Sequence, residues 1–434
     1  MAASFVYDIT RLVTRMLNKT PNGIDRVDFA YANHFLAAGN DGNAGVMTTL
    51  LGPRLFSRTA SLAAVEGIGV HWGEADDPQE DAAYRKIVAA LGERPSGIAS
   101  QGARIERRRS GQAAGTWRWM RTHGAPTGQS LVRHVPENAC YLNVSQFPLW
   151  ISRYFRWLEQ RPDVKAVFFL HDLLPIERPE FFPPAEEPRY HARLANVAHY
   201  GHAVITSSQV CKEGFQRALA ERGRPTIPIL ALPLPVSPIF HERAAVPFEL
   251  EKEVYFICCG TIEPRKNHLL LLHLWRQLAE KLGPVTPKLV LIGNRGWENE
   301  NAVDLLERCP LLQGHVIEAS GLSTPALKRL LDGARALLMP SFAEGYGLPV
   351  AEALAAGVPV IASDIPVFRE IGGETGSEAI TYLPPLAGDR WLEAILNASE
   401  NQRHVPQLAT PGKRTPPWNW TSYFRALDDF LADL

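Results

Sequence analysis

The chain has 434 residues, enough at roughly 150 residues per domain for two or three domains that each bury a core. Its composition, 46% hydrophobic and 21% charged, argues against global disorder and against a fibrous protein. Forty-five basic residues stand against 46 acidic ones, a formal charge of -1, which is not the coat of a nucleic-acid-binding protein, so no nucleic acid is expected as a partner.

Residues 5–9 read as a first strand, and Ile24, Val27, Tyr31 and Phe35 share one face of a helix behind it. The N-terminal segment lacks the apolar core of a signal peptide, and no run approaches the roughly 18 to 20 residues of a membrane span. The expected location is therefore the cytoplasm, with any membrane contact peripheral, at the inner face. Residues 72–133 are polar, Gly-rich and Arg-rich and read as an insertion. From 101 to 134 there are seven arginines (Arg104, Arg107, Arg108, Arg109, Arg118, Arg121, Arg133) against Glu106, with Trp117 and Trp119 among them. That composition suits an anionic membrane surface receiving a lipid-linked acceptor, and equally a solvated insertion. The apolar runs 166–170 and 203–206 are further buried strands, and the Pro-rich passage 233–247 is the best linker.

Beyond it, apolar runs at 254–259, 289–292, 336–339 and 358–362 alternate with helical spacing over 267–282, 299–308, 324–332, 348–356 and 388–399. Strands alternating with helices at this pitch predict an α/β fold of two doubly wound, Rossmann-like units. The first spans 1–240, the second 250–415, and 416–434 forms an amphipathic C-terminal helix. The five cysteines show neither a C-x-x-C pair nor Cys/His metal spacing, so reduced thiols and no metal are expected.

Ligands of open α/β sheets bind beyond the carboxyl ends of strands. His171 and Asp172 follow the 166–170 strand, residues 260–267 follow the next unit's first strand, and 293–296 and 341–347 follow two others. In 340–359 (PSFAEGYGLPVAEALAAGVP), Gly345 and Gly347 let backbone amides approach a ligand and Pro349 opens a helix. That helix is apolar nearly all round, which makes Glu352 costly unless its carboxylate finds donors; sugar hydroxyls are such donors. In GTIEPRKNH, 260–268, Arg265 and Lys266 precede a helix with Asn267 as its N-cap, and two cations there suggest an anion shared with the helix dipole. Each segment alone also suits an ordinary surface turn or rim residue.

Together these residues become recognisable. EGYGLPVAEALAAGVPVIAS resembles the E-x7-E region of retaining glycosyltransferases, with Glu344 and Glu352 as its glutamates. GTIEPRKNH is similar to the diphosphate loop of glycosyltransferase family 4 in its bacterial mannosyltransferase-like branch, HDLLPIERPEFF to the loop carrying that family's active-site histidine, and PNGIDRVDFAYA to its glycine loop and first helix. The match is dense over 254–384, patchy over 1–240 and absent over 72–133. The resemblance implies a GT-B fold, two domains facing across a cleft with the C-terminal helix returning to the first.

It also implies roles. His171, Glu344, Arg265 and Lys266 would be the catalytic set, the cations holding the donor diphosphate, Glu344 the sugar hydroxyls, and His171 the reacting sugar. Gly23, Gly260, Thr261, Asn294, Gly345, Tyr346, Gly347, Leu348 and Glu352 would bind the sugar nucleotide, with Glu352 on the ribose. Thr261 departs from the family, where many relatives carry an arginine, so charge neutralisation would rest on Arg265 and Lys266 alone. No D-x-D triplet occurs, so no metal or other cofactor is expected. The implied activity is retaining transfer of a hexose from a nucleoside-diphosphate sugar, with a slight preference for GDP-mannose. The acceptor would be a glycan or lipid-linked glycan of bacterial surface polysaccharide. An epimerase, a phosphorylase or a catalytically silent glycan- or nucleotide-binding module on the same fold are the competing readings.

Overall fold

The computed structural model describes residues 4–15, 21–37, 41–49, 52–72, 77–93, 128–242, 246–375, 379–400 and 418–434. They build two sheets. The first runs β3-β2-β1-β4-β5-β6-β7, from β1 (Phe5–Asp8), β2 (Ala44–Thr49), β3 (Gly52–Ser57), β4 (Cys140–Asn143), β5 (Lys165–Phe169), β6 (Gly201–Thr206) and β7 (Ile229–Ala231). All neighbours are parallel except the edge pair β2 and β3. The second runs β10-β9-β8-β11-β12-β13, from β8 (Tyr255–Cys259), β9 (Lys288–Ile292), β10 (Val316–Ala319), β11 (Leu337–Met339), β12 (Val360–Ser363) and β13 (Ile380–Leu383), and is wholly parallel.

The strands are apolar on both sides because both faces are covered. Successive residues alternate between cores: Val6, Tyr141 and Phe168 enter one cluster while Tyr7, Leu142 and Phe169 enter another. In the second sheet Ile257 and Leu337 face one way, Phe256 and Leu338 the other. Strand order reverses between β1 and β4 in one sheet and between β8 and β11 in the other. These reversals open crevices at the carboxyl ends, and the cleft lies between them.

The C-terminal helix Trp420–Ala432 returns to the first sheet, as the resemblance implied. Tyr423, Phe424, Leu427 and Leu431 join the cluster of Tyr31, Phe35 and Phe169, and the Tyr31 and Tyr423 hydroxyls meet at 2.5 Å. An Asn419–Ser422 capping box starts this helix. The insertion departs from expectation. Helix Ala82–Gly92, counted by sequence with the first domain, buries Ala83, Tyr84, Ile87 and Leu91 in the core of the second sheet. Lys288 Nζ seals the end of that segment through the Ala90 and Glu93 carbonyls, at 2.5 and 2.6 Å. The physical reason lies in its periodicity: an amphipathic helix goes to whichever apolar face is uncovered, wherever it sits in the chain. Of the Arg-rich stretch, Arg133 lies in the short helix Leu131–His134, while Arg104 to Arg121 with Trp117 and Trp119 lie outside the described residues. No helix among the described residues is long and apolar enough to cross a membrane.

Candidate active site

The loop after β8 is laced to its neighbours through glycines. Gly260 takes φ +146°, and a side chain on it would lie 3.1 Å from the stem of Lys266. Gly293 packs directly on the Gly260 carbonyl, and Ile262 N–H donates to the Asn294 carbonyl at 2.9 Å. Thr261 rests its methyl against Gly296, filling space that forbids a side chain there. Asn294 thus contributes its backbone, and the residue is otherwise exposed. Asn267 corrects the capping expectation. It sits at the helix start in a left-handed conformation, but its side chain caps nothing; Nδ2 donates to the carbonyls of Pro340 at 3.1 Å and Pro385 at 2.9 Å. It ties the β8 loop to the β11 loop.

That tie brings four charges together. Glu344, whose side chain is 5% exposed, accepts from Lys266 Nζ at 2.5 Å on Oε1 and from Arg265 Nη1 at 2.7 Å on Oε2, and Ser341 Oγ adds a bond at 2.7 Å. Glu263 Oε1 lies 2.6 Å from Arg265 Nε. Burial by itself would push the Glu344 carboxyl up, but Lys266 and Arg265 hold it at about 2. Burial also favours a neutral Arg265, yet Glu344, Glu263 and Asp172 raise its pKa, so the guanidinium stays charged. Two carboxylates already match the two cations, because a buried guanidinium and ammonium are too costly to leave alone.

From the first domain, β5 delivers His171 and Asp172. His171 Nε2 lies 3.0 Å from the Val144 carbonyl, so Nε2 carries the proton and donates it, leaving Nδ1 an acceptor. Burial, helped by the Arg11 charge, holds this imidazole at about 3. Asp172 accepts from Leu174 N–H at 3.1 Å, and its carbonyl accepts from the Tyr190 hydroxyl. Burial raises its carboxyl against the pull of Arg265.

The two halves meet at Gly345. A side chain there would fall 2.9 Å from the Asp172 carboxyl and 3.1 Å from the His171 carbonyl, so only glycine lets the loops touch. Cys211 Sγ donates to the Gly345 carbonyl at 3.2 Å. Gly347, at φ +108°, packs against Phe368 and opens helix Leu348–Ala355, and Tyr346 donates to the Leu234 carbonyl at 3.3 Å. Gly23 abuts Leu348 from the other side.

One residue of this cleft was missed by the sequence reading. Arg26 Nη1 crosses the cleft to Glu352 Oε1 at 3.1 Å, giving that buried carboxylate the donor its apolar helix demanded. The signal was present: Arg26 lies three residues beyond Gly23 on the same helix, Gly23–Ala37, and Glu352 required a partner. His171, Arg265, Lys266, Glu344 and Gly345 are thus brought to one place, with Gly23, Leu348 and Glu352 along the same cleft.

Residues 241–413 match the family model for Glycosyl transferases group 1. The chain is 28% identical over 233 residues to the Escherichia coli serotype-specific mannosyltransferase WbdA, covering 48% of this chain and 27% of that protein. It is 28% identical over 245 residues to the Escherichia coli O-antigen chain mannosyltransferase B (53% and 63%), and 31% identical over 153 residues to the Salmonella typhimurium O-antigen chain mannosyltransferase RfbU (35% and 40%). The matches thus span less than two thirds of these relatives' own lengths. In structure, sucrose-phosphate synthase from Thermosynechococcus elongatus superposes with TM-score 0.57 at 15% identity, over 99% of this chain and 98% of that one. Anabaena HepE, solved in complex with UDP-glucose, superposes with TM-score 0.57 at 12% identity over 99% and 100%. The fold is therefore GT-B, and the part of the chain that carries Arg265, Lys266, Glu344 and Glu352 is the part that matches the group 1 glycosyltransferase model.

Proposed function

We propose that this protein is a retaining, metal-independent glycosyltransferase. It moves a hexose from a nucleoside-diphosphate sugar, GDP-mannose first among the candidates, to a glycan or lipid-linked glycan in bacterial surface polysaccharide assembly. The mannosyltransferase relatives and their O-antigen setting support donor and acceptor. The single observation that carries the reading is the convergence of Lys266 and Arg265 on Glu344 at the strand reversal, one residue from the contact of Gly345 with His171 and Asp172.

The cations sit where a leaving diphosphate gathers charge. A carboxylate now occupies them, and an entering diphosphate takes its place. Glu344, released, turns its oxygens to the hydroxyls of the donor sugar. Glycosidic cleavage leaves an oxocarbenium-like centre beside the departing diphosphate, so fixed positive groups lower this barrier more than a nucleophile does. His171 cannot be a general acid: its one ring proton is held by Val144, and its other nitrogen accepts. It orients a sugar hydroxyl beside the reacting carbon. Glu352 and Arg26 lie at the ribose end, the carboxylate taking hydrogen bonds from the sugar. Retention follows from the resemblance of 340–359 to the E-x7-E region, and metal independence from the paired cations and the lack of a D-x-D triplet.

A thermal-shift series with nucleoside diphosphates and their sugars tests the reading. A bound donor at 100 times its Kd adds about 2.7 kcal/mol of stability and raises Tm. Lys266→Ala is expected to erase that shift and the transfer reaction together. A flat response to every nucleotide tried, or full turnover in Lys266→Ala, refutes the assignment.

A further inference from the structure

Beside His171 and Asp172 the first domain carries a cluster that the donor chemistry does not use. Trp150, half-buried in the loop after β4, is overlaid by two guanidiniums from helix Glu186–Tyr200, Arg193 at 5.2 Å and Arg189 at 5.9 Å from the ring centroid. The two arginines are one turn apart, so they share a helix face. Arg193 also covers the Tyr190 ring at 5.0 Å, and the Tyr190 hydroxyl donates to the Asp172 carbonyl. The cluster is therefore one residue removed from the loop that meets Gly345, and the Arg193 charge is felt at both His171 and Asp172.

The platform is rigid. Asn196 of the same helix donates to the Leu149 carbonyl at 2.7 Å and accepts from Ser152 Oγ at 2.7 Å, clamping the Trp150 loop on both flanks. Arg193, by contrast, is poorly used. Its side chain is 14% exposed, its buried Nε has no hydrogen-bond partner among the described residues, and its ion pair with Glu186 is long at 3.6 Å. Glu186 binds Arg189 more closely, at 2.7 Å, so one carboxylate answers two guanidiniums and Arg193 is the less satisfied of the pair. A half-buried guanidinium with an unspent donor, fixed on an aromatic surface, suits an oxygen-rich ligand whose hydroxyls can accept from it.

We infer that Arg193, Arg189 and Trp150 form the acceptor subsite, where the terminal pyranose of a neutral glycan is held by guanidinium-to-hydroxyl hydrogen bonds beside the indole. This deepens the glycosyltransferase reading and rests on it for the word acceptor, but not for the binding itself. The experiment uses the full chain and two independent readouts. Calorimetry measures binding of a manno-trisaccharide without donor, and steady-state kinetics measures the acceptor KM with GDP-mannose. Arg193→Ala is expected to weaken trisaccharide binding and raise acceptor KM by about tenfold, the loss of a good hydrogen-bonded contact, with the Kd for GDP unchanged within about twofold. Arg189→Ala, on an exposed position, gives a smaller change in the same direction and guards against misfolding of the first variant. Trisaccharide binding that depends on Arg193 in a chain that binds no sugar nucleotide would uphold the subsite and defeat the enzyme reading instead. Unaltered trisaccharide affinity in both variants overturns the subsite. So does an effect confined to phosphate-bearing acceptors and abolished by salt, which would make the ligand an anion.

Discussion

Glu344 is the residue on which the electrostatics of the cleft turn. Replacing it by Gln leaves Lys266 and Arg265 partly uncompensated in a buried place, a loss on the order of 3 kcal/mol in stability. The same change frees both cations for an incoming anion. Glu344→Gln is therefore expected to melt earlier, to transfer sugar poorly, and to bind inorganic pyrophosphate about tenfold more tightly, with pyrophosphate restoring the lost Tm. Calorimetry with pyrophosphate checks this, and weaker binding than wild type refutes the exchange of carboxylate for phosphate. His171 and His268 make a second prediction. Burial holds both near pH 3, and His268, 2% exposed, has neither ring nitrogen paired among the described residues. Between the ordinary 6.5 and that value the unfolded chain takes up protons that the native chain refuses. Stability present above pH 6.5 is thus lost as pH falls toward 3, with a slope of about 1.4 kcal/mol per pH unit for each histidine. Denaturant titrations from pH 7 to 4 are expected to show this slope, and His268→Leu to reduce it by about one proton's worth. The types and spacing of these groups were legible in the sequence. Their mutual neutralisation was not, because Glu344 lies nearly 80 positions from Arg265 and Lys266 along the chain and meets them only once the two loops are tied, by Asn267 and by Phe342 N–H to the Arg265 carbonyl.

Among elements, helix Gln209–Ala220 shows how the two lobes are latched. Its first two amides are capped from the other domain: Glu370, on helix Pro366–Thr375, accepts from Gln209 N–H at 2.6 Å and Val210 N–H at 3.2 Å. Ser208 caps Cys211 N–H from within, at 3.1 Å. A carboxylate on a helix N-terminus contributes about 1 kcal/mol. Glu370→Gln keeps the shape and removes the charge, so it is expected to open the cleft modestly, raising donor KM several-fold and increasing the small-angle scattering radius of the ligand-free chain. An unchanged radius and KM would show that the latch does not govern closure. Helix Pro366–Thr375 was invisible to the sequence reading, as were β10 and β13. Those two strands flank the second sheet, where one side meets solvent and the apolar run is broken: Glu318 interrupts one, and Thr381 is exposed in the other. The central β8, β11 and β12, buried at every residue, were legible for the opposite reason. In the first sheet, β4 is equally buried, but four residues, CYLN, are too few to show a period.

At the scale of the molecule, each lobe is completed by a piece of chain from the far side of its own boundary. Helix Ala82–Gly92 fills the second core, fixed also by Tyr84 to Glu249 at 2.9 Å and by Asp81 to Ser323 N–H at 2.8 Å, while helix Trp420–Ala432 covers the first. Tyr423→Ala, which empties a fully buried aromatic site far from the cleft, is expected to cost about 3 to 5 kcal/mol and to lower the melting of the first domain. Calorimetric melting shows whether that loss stays with the first lobe. The amphipathic period of 418–434 marked a helix and the family resemblance implied its return, whereas the exchange in the other direction needed three dimensions, since nothing in 82–92 tells which apolar surface it will find.

Such reciprocal lending means that the lobes are not interchangeable cartridges. A chimera joined at the Pro-rich passage near 240, with a second lobe grafted from a glycosyltransferase of the same fold, would leave Ile87 and Leu91 without their socket and Tyr31 without its cover. Any exchange of lobes must therefore recut the seam, carrying 78–93 with the second lobe and 418–434 with the first.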